Sequence, residues 1–173
     1  MKKVKKLRFR EANLNDLNQI MEIIYDAQQY LKSQDIDQWQ NGYPNSETIK
    51  DDIKARNSYV MTYQGKVIAY TALIFGEDET YINIYDGQWL NNNKYAVIHR
   101  MAVAKDHKGN EVAVKVLEAA EKLCKMKNVS SIRIDTHEDN ISMQRLIEKY
   151  DFDYCGIIFT SDDAKRLAYQ KDF

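Results

Sequence analysis

Residues 95–123, YAVIHRMAVAKDHKGNEVAVKVLEAAEKL, decide how this chain is read. Residues 95–104 are apolar enough for a strong strand, and a short basic loop follows. The loop opens into an amphipathic helix over residues 112–127, with Ala113, Val116, Leu117, Ala120 and Cys124 on its inner face. Such a strand-loop-helix aims backbone N–H groups and the positive end of a helix dipole at one spot, a place to hold a phosphate. Gly109 adopts backbone angles closed to other residues, and Asn110 tolerates positive φ better than most. Lys105, His107 and Lys108 add positive charge, while Glu111 sets a carboxylate in the middle of the loop.

Upstream, residues 5–10 alternate as a first strand. Asn13 and Asp16 make an Asn-x-x-Asp capping box, and Leu17, Ile20, Met21, Ile24, Ala27 and Leu31 mark one buried helical face. Residues 34–45 break that periodicity and carry Trp39, Gly42, Tyr43 and Pro44; a short helix over 46–55 follows. Strands at 59–63 and 67–75 join through Gln64-Gly65 as a tight hairpin. Residues 76–93 read as a polar loop with embedded aromatics and a helical turn. Downstream come a strand at 131–136, with Ile132 and Ile134 alternating against Arg133 and Asp135, a helix at 140–150, and strands at 154–160 and 166–170. Strands cluster first and then alternate with helices, so the expectation is a mixed α/β (α+β) sheet with helices on both faces.

The chain has 173 residues, enough for a single domain over 1–173 that buries roughly 70% of its unfolded surface without a metal or disulfide. Lys plus Arg number 25 against 26 Asp plus Glu, which gives no case for nucleic acid or anionic membranes as partners. The basic start lacks the apolar run of a signal peptide, and no window approaches the ~20 apolar residues of a membrane span. Cys124 and Cys155 read as small core residues in a reducing compartment. A cytoplasmic protein is expected. His137-Glu138-Asp139 is read as a strand-to-helix turn and not as a metal site, because consecutive residues rarely converge on one ion.

Set together, these segments resemble the GNAT superfamily of acetyl-CoA-dependent N-acetyltransferases, in particular a bacterial branch. The superfamily's loop, Arg/Gln-x-x-Gly-x-Gly/Ala, falls here on Lys108, Glu111 and Ala113. The first position is conservatively changed, the last fits, and the middle one departs. NISMQRLIEKYDF resembles the family's Asn-x-x-Ala-x-x-Leu-Tyr-x-x-x-Gly-Phe, with Asn140, Met143, Leu146 and Phe152 in matching places. QWQNGYP, YAVIHRMAV, RIDTHEDN and YCGII extend the likeness over nearly the whole chain.

The resemblance implies a mostly antiparallel central sheet and acetyl-CoA as co-substrate, with no metal. Met101, Ala102 and Val103 would meet the pantetheine arm. Lys108, Gly109, Asn110, Glu111, Val112, Ala113 and Val114 would surround the pyrophosphate, and Asn140 would approach from the next helix. The product would be an N-acetylated amine of a small molecule, amino acid or peptide. Late strands in this superfamily often pair across homodimers, and the oligomeric state stays open.

Acetyl transfer needs a base for the amine, a donor for the oxyanion and a proton for the leaving thiolate. His99, two residues before Met101 on the same strand, is the candidate base; the alternative is a half-buried core histidine. The family's tyrosine acid falls on Ile147, which donates no proton, so Tyr154 is preferred over Tyr150 and Cys155. Trp39 and Tyr43 would form an aromatic wall for substrate, and Trp89 and Tyr81 stand as further candidates. Arg100 is assigned to structure or an ion pair. Glu111 has two readings: its side chain turns to solvent while its N–H still serves the phosphate, or its charge repels the ligand. Glu111, Ile147 and Asp151, the last in place of the motif's glycine, also feed a second functional reading, a CoA-binding sensor with little turnover.

Overall fold

The structure, a computed structural model, describes residues 6–109 and 111–173. The described residues form strands β1 Arg8–Glu11, β2 Ser58–Tyr63, β3 Lys66–Phe75, β4 Ala96–Val103, β5 Ser131–Thr136, β6 Asp153–Phe159 and β7 Lys165–Asp172. The helices are α1 Leu17–Ser33, α2 Ser46–Lys54, α3 Val112–Met126 and α4 Ile141–Lys149. Hydrogen bonding orders the strands β1-β2-β3-β4-β5-β7-β6. The β1–β2, β2–β3, β5–β7 and β6–β7 pairs are antiparallel, and β4–β5 is parallel. This is a mixed, mostly antiparallel sheet, as expected. The first strand begins later than the alternation of residues 5–10 predicts, and Lys5 itself lies outside the described residues.

Each helix ends on a left-handed residue that is not glycine: Asp35, Arg56, Asn128 and Asp151, with φ of 55°, 60°, 56° and 63°. The bonds that follow are those of a Schellman motif. After α4, for example, Asp151 N–H donates to the Glu148 carbonyl at 3.0 Å and Phe152 N–H to that of Ile147 at 3.2 Å. A left-handed non-glycine costs about 1–2 kcal/mol. Burial of Ile36, Val129 and Phe152, each the residue after such a cap, offsets it in three of the four cases.

The chain packs as two compact units, residues 1–72 with 100–119 and residues 73–99 with 120–173. In the first, Ile20, Ile23 and Ile24 of α1 pack with Ile49 of α2, Val60, Val67, Tyr70 and Ala102. Leu17, Met21 and Ala27 of the predicted face flank this cluster, and Ile23 joins it from outside the predicted set. The capping box is present: Asn13 N–H donates to Asp16 Oδ2 at 2.9 Å, and Asn15 N–H donates to Asn13 Oδ1 at 2.9 Å. It caps a 3₁₀ turn, Leu14–Asp16, that leads into α1. Gln64 and Gly65 both take positive φ, as a tight two-residue hairpin requires.

In the second unit Tyr81, Val97, Ile158 and Ala168 form the core, flanked by Ile84, Trp89 and Tyr95. Alternation along β5 sets Arg133 opposite Ile132 and Ile134, yet that face is also covered. The Arg133 guanidinium lies 4.0 Å from the Trp89 ring centroid and 3.8 Å from that of Tyr95. It also donates to Gln170 Oε1 at 3.3 Å and to the Asn91 carbonyl at 3.0 Å. This clamp ties residues 89–95 to β5 and β7. Strand β6 is bordered by residues 85–88: Tyr85 and Ile157 exchange two backbone hydrogen bonds at 2.8 Å. Gly87 is required there, because a Cβ would come within 1.9 Å of the Cys155 carbonyl oxygen.

Arg10 grips Asp16 with two hydrogen bonds, at 2.8 and 2.9 Å, and this holds the Asp16 carboxyl below its ordinary value against the opposing effect of burial. A depressed folded-state value means stability that is present above the unfolded pKa of ~3.9 and lost as pH falls through the folded value. Asp16→Asn should therefore cost about 2 kcal/mol near neutral pH. In urea titrations at stepped pH, the gap between the two proteins should close below about pH 4.

Candidate active site

Strand β4 keeps its parallel register with β5 only over Ala96↔Ile132, Val97↔Arg133 and Ile98↔Ile134. Two residues later Arg100 has φ of 52°, a left-handed arginine inside a strand. Non-glycine residues in this region are uncommon and persist where surrounding contacts over-determine them. Here the contact is an ion pair. Arg100 Nε lies 2.8 Å from Asp52 Oδ2 and Nη2 lies 2.5 Å from Oδ1, with the two side chains only 11% and 9% exposed. Tyr70 donates its hydroxyl to Asp52 at 2.7 Å, and Arg100 Nη1 donates to the Tyr43 phenol oxygen at 2.8 Å. Burial works against the Arg100 charge, but Asp52 and Tyr43 outweigh it and hold the guanidinium above its ordinary value. The assignment of Arg100 to an ion pair is met.

Beyond Arg100, β4 continues through Met101, Ala102 and Val103, and Ala104 N–H bonds the Ile68 carbonyl at 2.8 Å. A 3₁₀ turn, Lys105–His107, then leads to the basic loop. Gly109 has φ of 79° and Glu111 of 58°; Asn110 between them lies outside the described residues. Glu111 thus adopts the backbone conformation for which the family's glycine is suited. Its side chain is exposed, and its carbonyl accepts the Lys115 N–H at 3.0 Å, opening α3 at buried Val112. Lys108 Nζ sits 4.2 Å from the Tyr30 ring centroid, and close packing around the ammonium lowers its pKa against the pull of Asp26. Lys105 lies 3.9 Å from Asp26.

The loop carrying Trp39 and Tyr43 is tied to α1: Gln28 Nε2 donates to the Pro44 carbonyl at 3.0 Å, and Gln40 Nε2 to the Gln28 carbonyl at 3.1 Å. Trp39 is half-buried against the α1–α2 core with φ of 61°, while Tyr43 is exposed apart from its bond to Arg100.

In the second unit His99 Nε2 lies 2.8 Å from Asp78 Oδ2, and the imidazole meets Tyr81 edge-on at 5.7 Å. The Tyr81 hydroxyl donates to Asp135. Tyr81 and Trp89, read from sequence as further wall candidates, are not a wall. Tyr81 is fully buried, Trp89 stacks on it at 5.6 Å, and the indole N–H donates to the Tyr81 carbonyl at 3.0 Å. Their apolar area closes a core.

Asn140 is nearly buried, and its side chain caps α4 by accepting the Met143 N–H at 3.2 Å. The His137–Asp139 segment is the expected turn: His137 Nδ1 accepts the Asp139 N–H at 3.0 Å, and Glu138 pairs with Lys165 at 3.0 Å. Among the described residues no cluster of His, Cys, Asp or Glu gathers to hold a metal ion. No helix among them is long and apolar enough to cross a membrane.

Of the acid candidates, Tyr154 is 53% exposed and packs edge-on to Tyr169 at 5.6 Å. Tyr150 donates to Glu121 at 3.0 Å, and burial pushes the Cys155 thiol up. Ile147 is fully buried, so the position of the family's tyrosine belongs here to the core. Asp52, Tyr70, Asp78 and Asp135 were missed by sequence reasoning. No spacing rule links residues so far apart to β4 or to Tyr81.

A family model for acetyltransferases of the GNAT family matches residues 17–152. The crystal structure of a GNAT-family acetyltransferase from Streptococcus agalactiae 2603 is 35% identical, covering 96% of this chain and 95% of that one, with a TM-score of 0.88. A second, from Listeria monocytogenes 4b F2365, is 19% identical over 96% and 95% of the chains with a TM-score of 0.75. The NatC complex bound to Gag peptide and CoA contains a chain of the same fold, 13% identical over 97% and 99%, with a TM-score of 0.68. No protein of curated function matches the chain by sequence. The chain belongs to the GNAT family and is an acyltransferase.

Removing one partner of a buried pair strands the other charge, at about 3–5 kcal/mol. Asp52→Ala should lose that much unfolding free energy in denaturant titration. Tyr70→Phe, which leaves the ion pair intact, should lose only about 1 kcal/mol.

Proposed function

We propose that this acetyltransferase moves the acetyl group of acetyl-CoA to a primary amine of a small molecule, amino acid or peptide. The observation that carries the reading is the loop before α3. Left-handed backbone at Gly109 and Glu111, an exposed Glu111 side chain and a long helix beginning at Val112 suit a pyrophosphate. Lys108, Gly109, Asn110, Glu111, Val112, Ala113 and Val114 hold that group in this proposal, with Met101, Ala102 and Val103 along the pantetheine arm. Asn140, whose side-chain oxygen accepts the Met143 N–H at the start of α4, approaches the cofactor from that helix in this proposal. Family membership over residues 17–152, which include parts of both units, supports one catalytic domain.

The amine attacks the thioester carbonyl, a C–N bond forms and the C–S bond breaks. His99 takes the amine proton, and a backbone N–H of residues 101–103 meets the developing oxyanion. Tyr154, the most exposed of the candidate acids, returns a proton to sulfur; a thiol of pKa ~8.5 is a fair leaving group even unaided. Trp39 and Tyr43 face the acceptor in this proposal.

Thiol release measured with a free amino acid, an alkyl diamine and an alanyl peptide tests the acceptor class. Silence across all three alongside measurable coenzyme A binding would overturn it and favour the sensor. His99→Ala should lower kcat/KM about 10²–10⁴-fold on whichever amine is turned over; an unchanged value removes the base. Glu111→Gly should tighten coenzyme A about threefold in calorimetric titration, ~0.7 kcal/mol. No gain would mean that the carboxylate is harmless.

A further inference from the structure

We infer that two residues of α1 tune the coenzyme A site: the Tyr30 ring positions the Lys108 ammonium for the pyrophosphate, and Asp26 competes with the pyrophosphate for the charge of Lys105 and Lys108. The inference rests on the reading of residues 108–114 as the pyrophosphate loop. Asp26 and Tyr30 are four apart on α1, so they share one face a turn apart. Lys105 and Lys108 are three apart, and the 3₁₀ turn Lys105–His107 sets such positions above one another. The two spacings match. Lys105 Nζ lies 3.9 Å from Asp26 Oδ2, and Lys108 Nζ lies 4.2 Å from the Tyr30 ring centroid. On the β2 side the His107 ring meets Tyr63 edge-on with centroids 5.8 Å apart, so the turn is gripped from the helix and from the sheet.

The two lysines differ in what holds them. The Lys105 side chain is 68% exposed, so its pair with Asp26 is weak and open to salt. The Lys108 ammonium is packed closely enough for burial to lower its pKa against the pull of Asp26, and its near contact is a ring face. A ring face offsets the loss of water less fully than a carboxylate does. Lys108 therefore carries a partly desolvated charge that an arriving phosphate completes. Lys108 also precedes Gly109, whose φ of 79° turns the chain into the loop, so the held lysine stands at the loop's entrance. Tyr30 takes up the freedom of the lysine stem before the ligand arrives, whereas a solvated lysine would lose that rotamer entropy on binding. Asp26 works in the opposite sense. Its negative charge already draws both ammonium groups, and it repels a phosphate that approaches them. Two residues one turn apart on a helix face thus act on the same ligand with opposite signs.

Calorimetric titration with coenzyme A reads both effects without an acceptor amine. Tyr30→Ala should weaken binding about three- to fivefold, and Tyr30→Phe, which keeps the ring, should bind as the native protein does. Asp26→Asn should tighten binding about two- to threefold in about 20 mM salt, and the gain should vanish in about 0.5 M salt. In a Lys108→Gln protein, Tyr30→Ala should cost nothing further, because the ring then has no ammonium to hold. A Tyr30→Ala protein of native affinity overturns the positioning, and so does a Tyr30→Phe protein as weak as Tyr30→Ala. A Tyr30→Ala loss that persists in full beside Lys108→Gln overturns it too, since that is a merely structural role. An Asp26→Asn protein that binds more weakly than the native one, or equally, overturns the competition. The two proposals fail differently: a native protein that takes up no coenzyme A removes the loop reading itself, whereas native binding that Lys108→Gln weakens and Tyr30→Ala leaves intact removes only the part given to α1.

Discussion

The bidentate pair between Arg100 and Asp52 is the constraint on which the middle of this molecule turns. A left-handed arginine within a strand costs about 1–2 kcal/mol. It persists here because the guanidinium has one well-fitted partner in α2 and a second in the Tyr43 phenol. The consequences run along β4. Two residues before Arg100 the parallel ladder with β5 ends, and one residue before it His99 reaches Asp78. Three residues after it the strand closes at Val103, on the way to the basic loop.

The same economy governs the departures from the family's motifs. Glu111 and Asp151 both stand where the pattern has glycine, and both take the left-handed φ that glycine supplies. What the fold needs at these places is the sign of φ; the missing side chain is a convenience. At Asp151 the need is plain, because Phe152 must turn back under α4 to bond the Ile147 carbonyl. Ile147 departs in another way. It is buried in place of a tyrosine, so that position adds apolar area and no proton.

Most of the fold was legible because its signals are local. Hydrophobic period placed α1 and α3, Gln64-Gly65 placed the β2–β3 turn, and Asn13 with Asp16 placed the start of α1. The pairs that shape the site are distant in sequence. Arg100 meets Asp52 across 48 positions and His99 meets Asp78 across 21, with no spacing to announce either. Arg133 misleads for a related reason. Period two gives its face correctly, but whether that face meets water depends on Trp89 and Tyr95, which reach it from a loop without periodicity. Arg100 was legible as an ion-pairing residue and illegible as a left-handed one, since φ is decided by partners the pattern does not show.

Stability alone does not account for the Arg100–Asp52 pair. Desolvating two charges is expensive, and a buried pair exchanged for apolar residues of equal volume is often neutral or stabilising. An apolar residue at position 100 would pack, but it would offer no hydrogen bond to Tyr43 and no reason to hold the left-handed angle. The strand would then relax toward regular β geometry, with φ near −120° in a parallel ladder. His99 is bonded directly through its peptide to that residue, so the relaxation would tilt the imidazole against Asp78. The charged pair therefore fixes geometry, and the neighbouring residue that feels it first is His99, whose imidazole lies 2.8 Å from Asp78.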